Sequence, residues 1–163
     1  MSSAETKSAG PKAPDPKASN SQPGICFGGM TPILRVADLK AAIDHYVRVL
    51  GFRMLWDSPS FASVKRDECE IFLCEGDQGH AGGWVWIGVS DVDAVLAEYR
   101  RSGAKIRHAP TNYWWAYEMQ VEDINGNVLR IGSEPRGKTM GEWLDMRGVR
   151  WIPQADGGWK KVK

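Results

Sequence analysis

VADLKAAIDHYVRVLGF at residues 36–52 and VSDVDAVLAEYRRSGA at residues 89–104 follow one pattern. Val36, Asp38, Ala41 and Tyr46 recur in register as Val89, Asp91, Ala94 and Tyr99. Asp38 and Asp91 each stand where a helix N-cap belongs, because a carboxylate there can accept from a free backbone N–H of the first turn. Leu39, Ala42, Ile43, Tyr46, Val47 and Leu50 then fall on one helical stripe, as do Val92, Val95, Leu96 and Tyr99. Gly51 and Gly103 supply the residue that ends a helix at little steric cost.

The same unit surrounds each helix. Pro32–Val36 reads as a strand before the first, and Phe52–Trp56, Phe61–Lys65 and Cys69–Glu75 read as strands after it, with a turn at Asp57–Ser60. Four glycines within residues 76–83 mark a loop. Trp84–Val89 then opens the second copy, followed by Ala104–His108, Tyr117–Glu122 and Val128–Gly132. Pro110-Thr111-Asn112 reads as loop, and Asn125-Gly126 is a strong hairpin signal. Strand–helix–strand–strand–strand used twice predicts an α+β fold with helices on one side of mixed sheets.

Outside the repeat, residues 1–27 are rich in Pro, Ser and Lys and poor in large apolar side chains, so a disordered leader is expected. The repeat occupies residues 28–135, as modules at 28–76 and 83–135. Residues 136–163 form an extension with Trp143, Trp151 and Trp159 at eight-residue spacing and an Asp156-Gly157 turn signal. Three exposed indoles on a loose tail are unfavourable, so the extension is expected to pack on the domain or on a second copy.

Composition excludes several classes. With 21 Lys+Arg against 20 Asp+Glu the chain lacks the charge of a nucleic-acid binder. No apolar run is long enough to span a bilayer, and no apolar segment opens the chain as a secretory signal would, so a cytoplasmic location is expected. Three cysteines without zinc spacing read as reduced thiols. No G-x-S-x-G or phosphate-cradling loop is present. The eight tryptophans are the unusual count, and they point to a pocket or an interface.

Strand alternation separates two faces. Leu34, Val36, Ile71, Leu73, Val85, Ile87, Val89, Leu129 and Ile131 form a uniformly aliphatic set, which is predicted to face the helices. The opposite set holds Thr31, Ile33, Arg35, Glu70, Phe72, Cys74, Trp84, Trp86, Gly88, Val128, Arg130 and Gly132. It is aromatic and cationic, which suits a flat ligand carrying an anion or a carbonyl. Tyr113, Trp114, Trp115 and Tyr117 form a second aromatic cluster, and Trp56 with Phe61 a third. Core packing, a hairpin-stabilising pair and a partner chain are the competing explanations for these rings. For Arg35 and Arg130, neutralisation by Glu118, by Glu70 or by a cross-chain carboxylate is the competing explanation.

This arrangement resembles the vicinal oxygen chelate superfamily of glyoxalases, extradiol dioxygenases and bleomycin-resistance proteins. The resemblance is carried by TPILRVADLKAAIDHYVRVLGF, LGFRMLWDSPSFASVKRDECEIFLCEG and WWAYEMQVEDINGNVLRI, the last two most similar to the bleomycin-resistance branch. It implies a cupped mixed sheet, two chains sharing two grooves, and a ligand stacked on the ring at Trp114. Metal-dependent members place ligands on the first, fourth, fifth and eighth strands, and here those positions hold Thr31, Phe72, Trp84 and Arg130. None of these suits a divalent cation, and Arg stays protonated. No metal and no cofactor are expected.

The reading that follows is a non-catalytic, homodimeric, metal-independent binding protein of the bleomycin-resistance type, as in antibiotic resistance. It would hold an aromatic small molecule such as a bleomycin-type glycopeptide on Arg35, Trp56, Phe61, Phe72, Trp84, Trp86, Trp114, Trp115, Tyr117, Glu118 and Arg130. The alternatives are a glyoxalase-like lyase or isomerase, using an unrecognised metal site or acid–base chemistry by Glu118, Glu70 or His108, and a protein-interaction module.

Overall fold

A computed structural model describes residues 29–137, 141–144, 148–154 and 158–162. The expected leader and the Asp156-Gly157 turn lie outside those residues. The elements are β1 (Ile33–Arg35), α1 (Leu39–Arg48), β2 (Arg53–Asp57), β3 (Phe61–Arg66), β4 (Cys69–Cys74), β5 (Trp84–Gly88), α2 (Val92–Ser102), β6 (Lys105–Asn112), β7 (Tyr117–Glu122), β8 (Val128–Ser133), β9 (Trp143–Leu144), β10 (Arg150–Pro153) and β11 (Trp159–Lys161).

The repeat governs the topology. One four-stranded sheet has the order β1-β4-β3-β2, and the other β5-β8-β7-β6. In each, the strand before the helix pairs in parallel with the last strand of its module, Leu34 with Leu73 and Val85 with Leu129. The remaining pairings in both sheets are antiparallel. The fold is α+β, with two mixed sheets built alike.

Both predicted caps are made. Asp38 Oδ1 accepts from Ala41 N at 2.8 Å, and Asp91 Oδ1 accepts from Asp93 N at 2.9 Å and Ala94 N at 3.1 Å. Gly103 ends α2 in the left-handed region at φ 79°. Leu39, Ala42, Tyr46 and Leu50 are buried, whereas Val47 is exposed. At 3.6 residues per turn Val47 lies about 80° round from Leu39, on the margin of the stripe.

The aliphatic set predicted to face the helices does so. Leu34, Val36, Ile71, Leu73, Leu129 and Ile131 belong to one buried cluster, with Val85, Ile87 and Val89 packed against it. That cluster draws on both modules, and polar contacts fasten them together. Tyr99 Oη donates to Leu50 O at 3.1 Å, and Ser102 Oγ to Val49 O at 2.6 Å. Arg66 grips Glu98 through two bonds, at 2.8 and 2.7 Å.

The principal fastening is the turn Asp123–Asn127. Asp123 is buried, and its carboxylate accepts from Tyr46 Oη, Asn125 N, Asn127 N and Asn127 Nδ2 at 3.1, 2.8, 2.9 and 2.9 Å. Asn127 also donates to Arg35 O at 3.1 Å and accepts from Gly83 N at 2.9 Å. Asn125 Oδ1 accepts from Ala37 N at 2.9 Å. The residues read from sequence as a hairpin turn therefore also tie β1 and α1 of the first module to the second.

One predicted loop is strand. Thr111 pairs with Glu118 and Asn112 with Tyr117, so β6 continues through Pro110. The register shifts between His108 and Thr111, and an irregularity there accommodates a residue without an N–H. At the far edge of the first sheet every residue of β2 is exposed, and its pairing with β3 shifts between Met54 and Trp56.

Burial pushes the Tyr99 phenol up to about 12, and the Tyr46 phenol is also raised, by burial and then by Asp123. A raised pKa favours the protonated form in the fold, so its stability is complete below pH 10 and lost as pH rises towards 12. Tyr99 alone is expected to remove about 2 kcal/mol by pH 12. Thermal unfolding from pH 9 to pH 12 checks this. Tyr99→Phe should flatten the profile in that window.

Candidate ligand-binding site

The face opposite the helices holds most of the side chains expected there. On the first sheet the cross-strand row Ile33, Phe72, Ser63, Trp56 runs from β1 to β2. Phe61 lies beside it, its ring stacked on Trp56 at 6.0 Å and 14°. Phe72 is tilted against both, at 5.6 Å from Trp56 and 5.5 Å from Phe61. Trp56 stays 44% exposed, so the trio is an open aromatic wall. Ser63 Oγ donates to Glu70 Oε1 at 2.7 Å below it. Arg35, on the same side of β1, has no carboxylate partner among the described residues, and it lines a depression of about 470 Å³ with Glu75 and Asn125.

On the second sheet Trp84 and Trp86 project from edge strand β5, 53% and 55% exposed. The Trp86 indole lies over two glycines. A Cβ on Gly132 would come within 3.1 Å of Trp86 Cζ2, and one on Gly88 within 3.2 Å of Cζ3. A Cβ at either position would press the ring away by a few tenths of an ångström, so the two glycines let it lie close to the sheet. The Arg107 guanidinium stands 5.4 Å from the Trp84 ring.

Beside Trp86, Arg130 donates through Nη2 to Glu118 Oε1 at 2.6 Å. Glu118 is 2% exposed, and its Oε2 and the Nε of Arg130 are buried without a hydrogen-bond partner among the described residues. Arg130 is thus neutralised by Glu118, the alternative weighed from sequence. Of the two guanidiniums expected to fix a polar group of the ligand, Arg35 is the one without such a partner among the described residues. Cys74, Val128 and Gly132 share the open side of their strands yet are buried, Gly132 beneath Trp86.

The Trp114–Trp115 pair is not on a strand. It forms the tip between β6 and β7, closed by Tyr113 N donating to Ala116 O at 2.8 Å. Trp115 stacks on Tyr113 at 4.5 Å and 2°, and Trp114 meets Trp115 edge-on at 5.4 Å and 88°. Trp114 is 51% exposed. Tyr117 does not join this group. It alternates with Glu118, so it points to the helix side, where its hydroxyl donates to Asp93 Oδ1 at 2.8 Å and Arg136 lies 4.1 Å over its ring.

Sequence reasoning missed the cross-module role of Asp123 and Asn127 and the glycine bed of Trp86. Gly88 and Gly132 sit on the same face as Trp86 in adjacent strands, and that was the available signal.

The four positions that carry metal in metal-dependent relatives bring no donor set together. Phe72 sits within the aromatic wall, Trp84 is stacked beside Arg107, and Arg130 is already paired with a carboxylate. Among the described residues no cluster of three His, Cys, Asp or Glu could hold a metal ion. No helix among them is long and apolar enough to cross a membrane.

Solved structures share this fold. TnmS3, an antibiotic binding protein from Streptomyces sp. CB03234, aligns at 23% identity and TM-score 0.60, over 69% of this chain and 99% of that one. The bleomycin-binding protein of Streptomyces verticillus, complexed with copper(II)-bleomycin, aligns at 24% identity and TM-score 0.58, again over 69% and 99%. A bleomycin resistance determinant encoded on the transposon Tn5 aligns at 17% identity and TM-score 0.59, over 66% and 98%. No curated protein sequence matches the chain. The repeat, its two mixed sheets and a family model matching residues 29–131 agree, and the chain belongs to the Glyoxalase/Bleomycin resistance protein/Dioxygenase superfamily.

Proposed function

We propose that the protein is a non-catalytic, metal-independent homodimer that sequesters an aromatic small molecule of the bleomycin type. The observation that carries this reading is the set of half-exposed rings, Trp56, Trp84 and Trp86 on the open faces and Trp114 at the β6–β7 tip, at and around positions where a metal enzyme of this fold needs donors. An indole left this exposed forgoes the stability of burial, and a ligand or a second copy recovers it. In this reading Trp56, Phe61 and Phe72 supply one stacking wall and Trp84 and Trp86 another, with a second copy completing each groove. Arg35 fixes a polar group. Affinity comes from buried aromatic area and a few polar pairs, and no bond is made or broken.

The test is a calorimetric and Trp-fluorescence titration of the full chain with metal-free bleomycin and with its copper complex, after metal content has been measured by mass spectrometry. The expected result is substoichiometric metal, quenched fluorescence, one ligand per chain, and a roughly tenfold or greater loss of affinity in Trp56→Ala and in Trp86→Ala. About one tightly held metal per chain, with no heat or quenching from either form of bleomycin, overturns it.

A further inference from the structure

The neighbours named above are matched over nearly their whole length but cover only about two thirds of this chain. The C-terminal sheet β9–β11 lies beyond the family match at residues 29–131. It is also where three of the eight tryptophans lie. What it touches is specific.

The C-terminal segment holds the β6–β7 tip at three residues. The Asn112 side chain exchanges bonds with Arg136, Nδ2 donating to Arg136 O and Oδ1 accepting from Arg136 N, both at 2.7 Å. Gly141 N donates to Asn112 O at 2.6 Å. Tyr113, 2% exposed, donates through its hydroxyl to Glu142 O at 3.1 Å. Trp115 meets Trp159 at 5.5 Å, and Trp159 meets Trp143 at 5.4 Å.

The tip has reason to need this support. Two-residue hairpin loops prefer turns with positive φ, because that twist matches the strands. Neither Trp114 nor Trp115 takes a positive φ, and neither is glycine, asparagine or aspartate. The local sequence therefore does not favour this tip, and contacts from elsewhere must hold it.

We propose that the C-terminal extension, its sheet and the segment that leads into it, is a positioning element for the binding face. By gripping Asn112, Tyr113 and Trp115 it holds the tip rigid and presents Trp114, half exposed, in one orientation to the ligand. The ligand role of Trp114 rests on the function proposed above, whereas its orientation by Trp159 does not. Trp159 is a positioning residue that acts through Trp115.

The experiment uses the full chain labelled with fluorotryptophan, its fluorine resonances assigned by single Trp→Phe variants. In Trp159→Ala the Trp114 resonance is expected to shift and broaden, while those of Trp56, Trp84 and Trp86 hold. Trp159→Phe keeps a ring against Trp115 and should restore a sharp Trp114 line. Affinity for metal-free bleomycin should fall about tenfold in Trp159→Ala and recover in Trp159→Phe. An unchanged Trp114 line in a folded Trp159→Ala overturns the proposal. If Trp159→Ala does not fold, Trp159→Leu removes the ring against Trp115 while keeping apolar bulk, and a shifted Trp114 line there supports the proposal while an unshifted one overturns it. A wild-type chain that ignores bleomycin defeats the ligand role alone, because the fluorine spectrum needs no ligand.

Discussion

Asp123→Ala is expected to cost about 4 kcal/mol of unfolding free energy. Hydrogen bonds to a charged group contribute roughly 1.5–3 kcal/mol each when removed singly, and bonds sharing one acceptor are not additive. The buried carboxylate accepts from Tyr46, from Asn125 and twice from Asn127. Alanine leaves the Tyr46 hydroxyl, two backbone N–H groups and one side-chain N–H without that acceptor in a site closed to solvent. Asp123→Asn keeps one oxygen for the backbone donors but turns a donor towards Asn127 Nδ2, so about half the loss is expected. Tyr46→Phe removes one bond to the carboxylate and should cost about 1.5 kcal/mol, the low end for a bond of 3.1 Å. For a chain of this size 4 kcal/mol corresponds to a fall of roughly 10 °C in Tm. Urea unfolding of the three variants checks the order. Equal stability in Asp123→Ala and wild type would mean that the turn does not fasten the modules.

Arg130→Leu is the second large effect, at about 3 kcal/mol. Removing one member of a buried ion pair strands the other, at roughly 3–5 kcal/mol. The Arg130 side chain is one-third exposed, which sets the value at the low end, but Glu118 is almost wholly enclosed and cannot rehydrate in place. Replacing both should relieve the penalty. The double variant Glu118→Leu with Arg130→Leu is expected to recover most of the loss, because an apolar pair needs no partner. Chemical denaturation of both single variants and the double variant forms a cycle whose coupling term reports the pair. A double variant no better than Arg130→Leu would show that the loss comes from packing around Trp86.

The fold was legible because the chain states it twice. The in-register Val, Asp, Ala and Tyr positions carry a cap, a stripe and a strand each, and no single module had to be read alone. The two sheet faces were legible because alternation is a property of the backbone. What escaped were effects between elements distant in sequence. Tyr46 and Asp123 are 77 residues apart, and nothing local in either announces the other. Proximity in the chain groups Tyr117 with Trp114 and Trp115, yet alternation with Glu118 turns it towards α2. The open rings at Trp84 and Trp86 are legible because they alternate with the aliphatic set along one strand, and Trp56 because it faces Phe61 across the Asp57–Ser60 turn. Pro110-Thr111-Asn112 reads as loop in sequence, and the register irregularity between His108 and Thr111 is what lets the strand keep a proline.

The exposed outer strand β2 bears on how the protein behaves in a crowded solution. A free sheet edge carrying Met54, Leu55 and Trp56 offers unsatisfied backbone groups and apolar side chains to any passing extended chain. The shift in pairing between Met54 and Trp56 breaks the regular spacing that an incoming strand would have to match, and Arg53 and Asp57 bracket the apolar segment with charge. The molecule can keep an indole in solvent there without inviting edge-to-edge polymerisation, and the ligand-binding function proposed above requires a surface that stays open in this way.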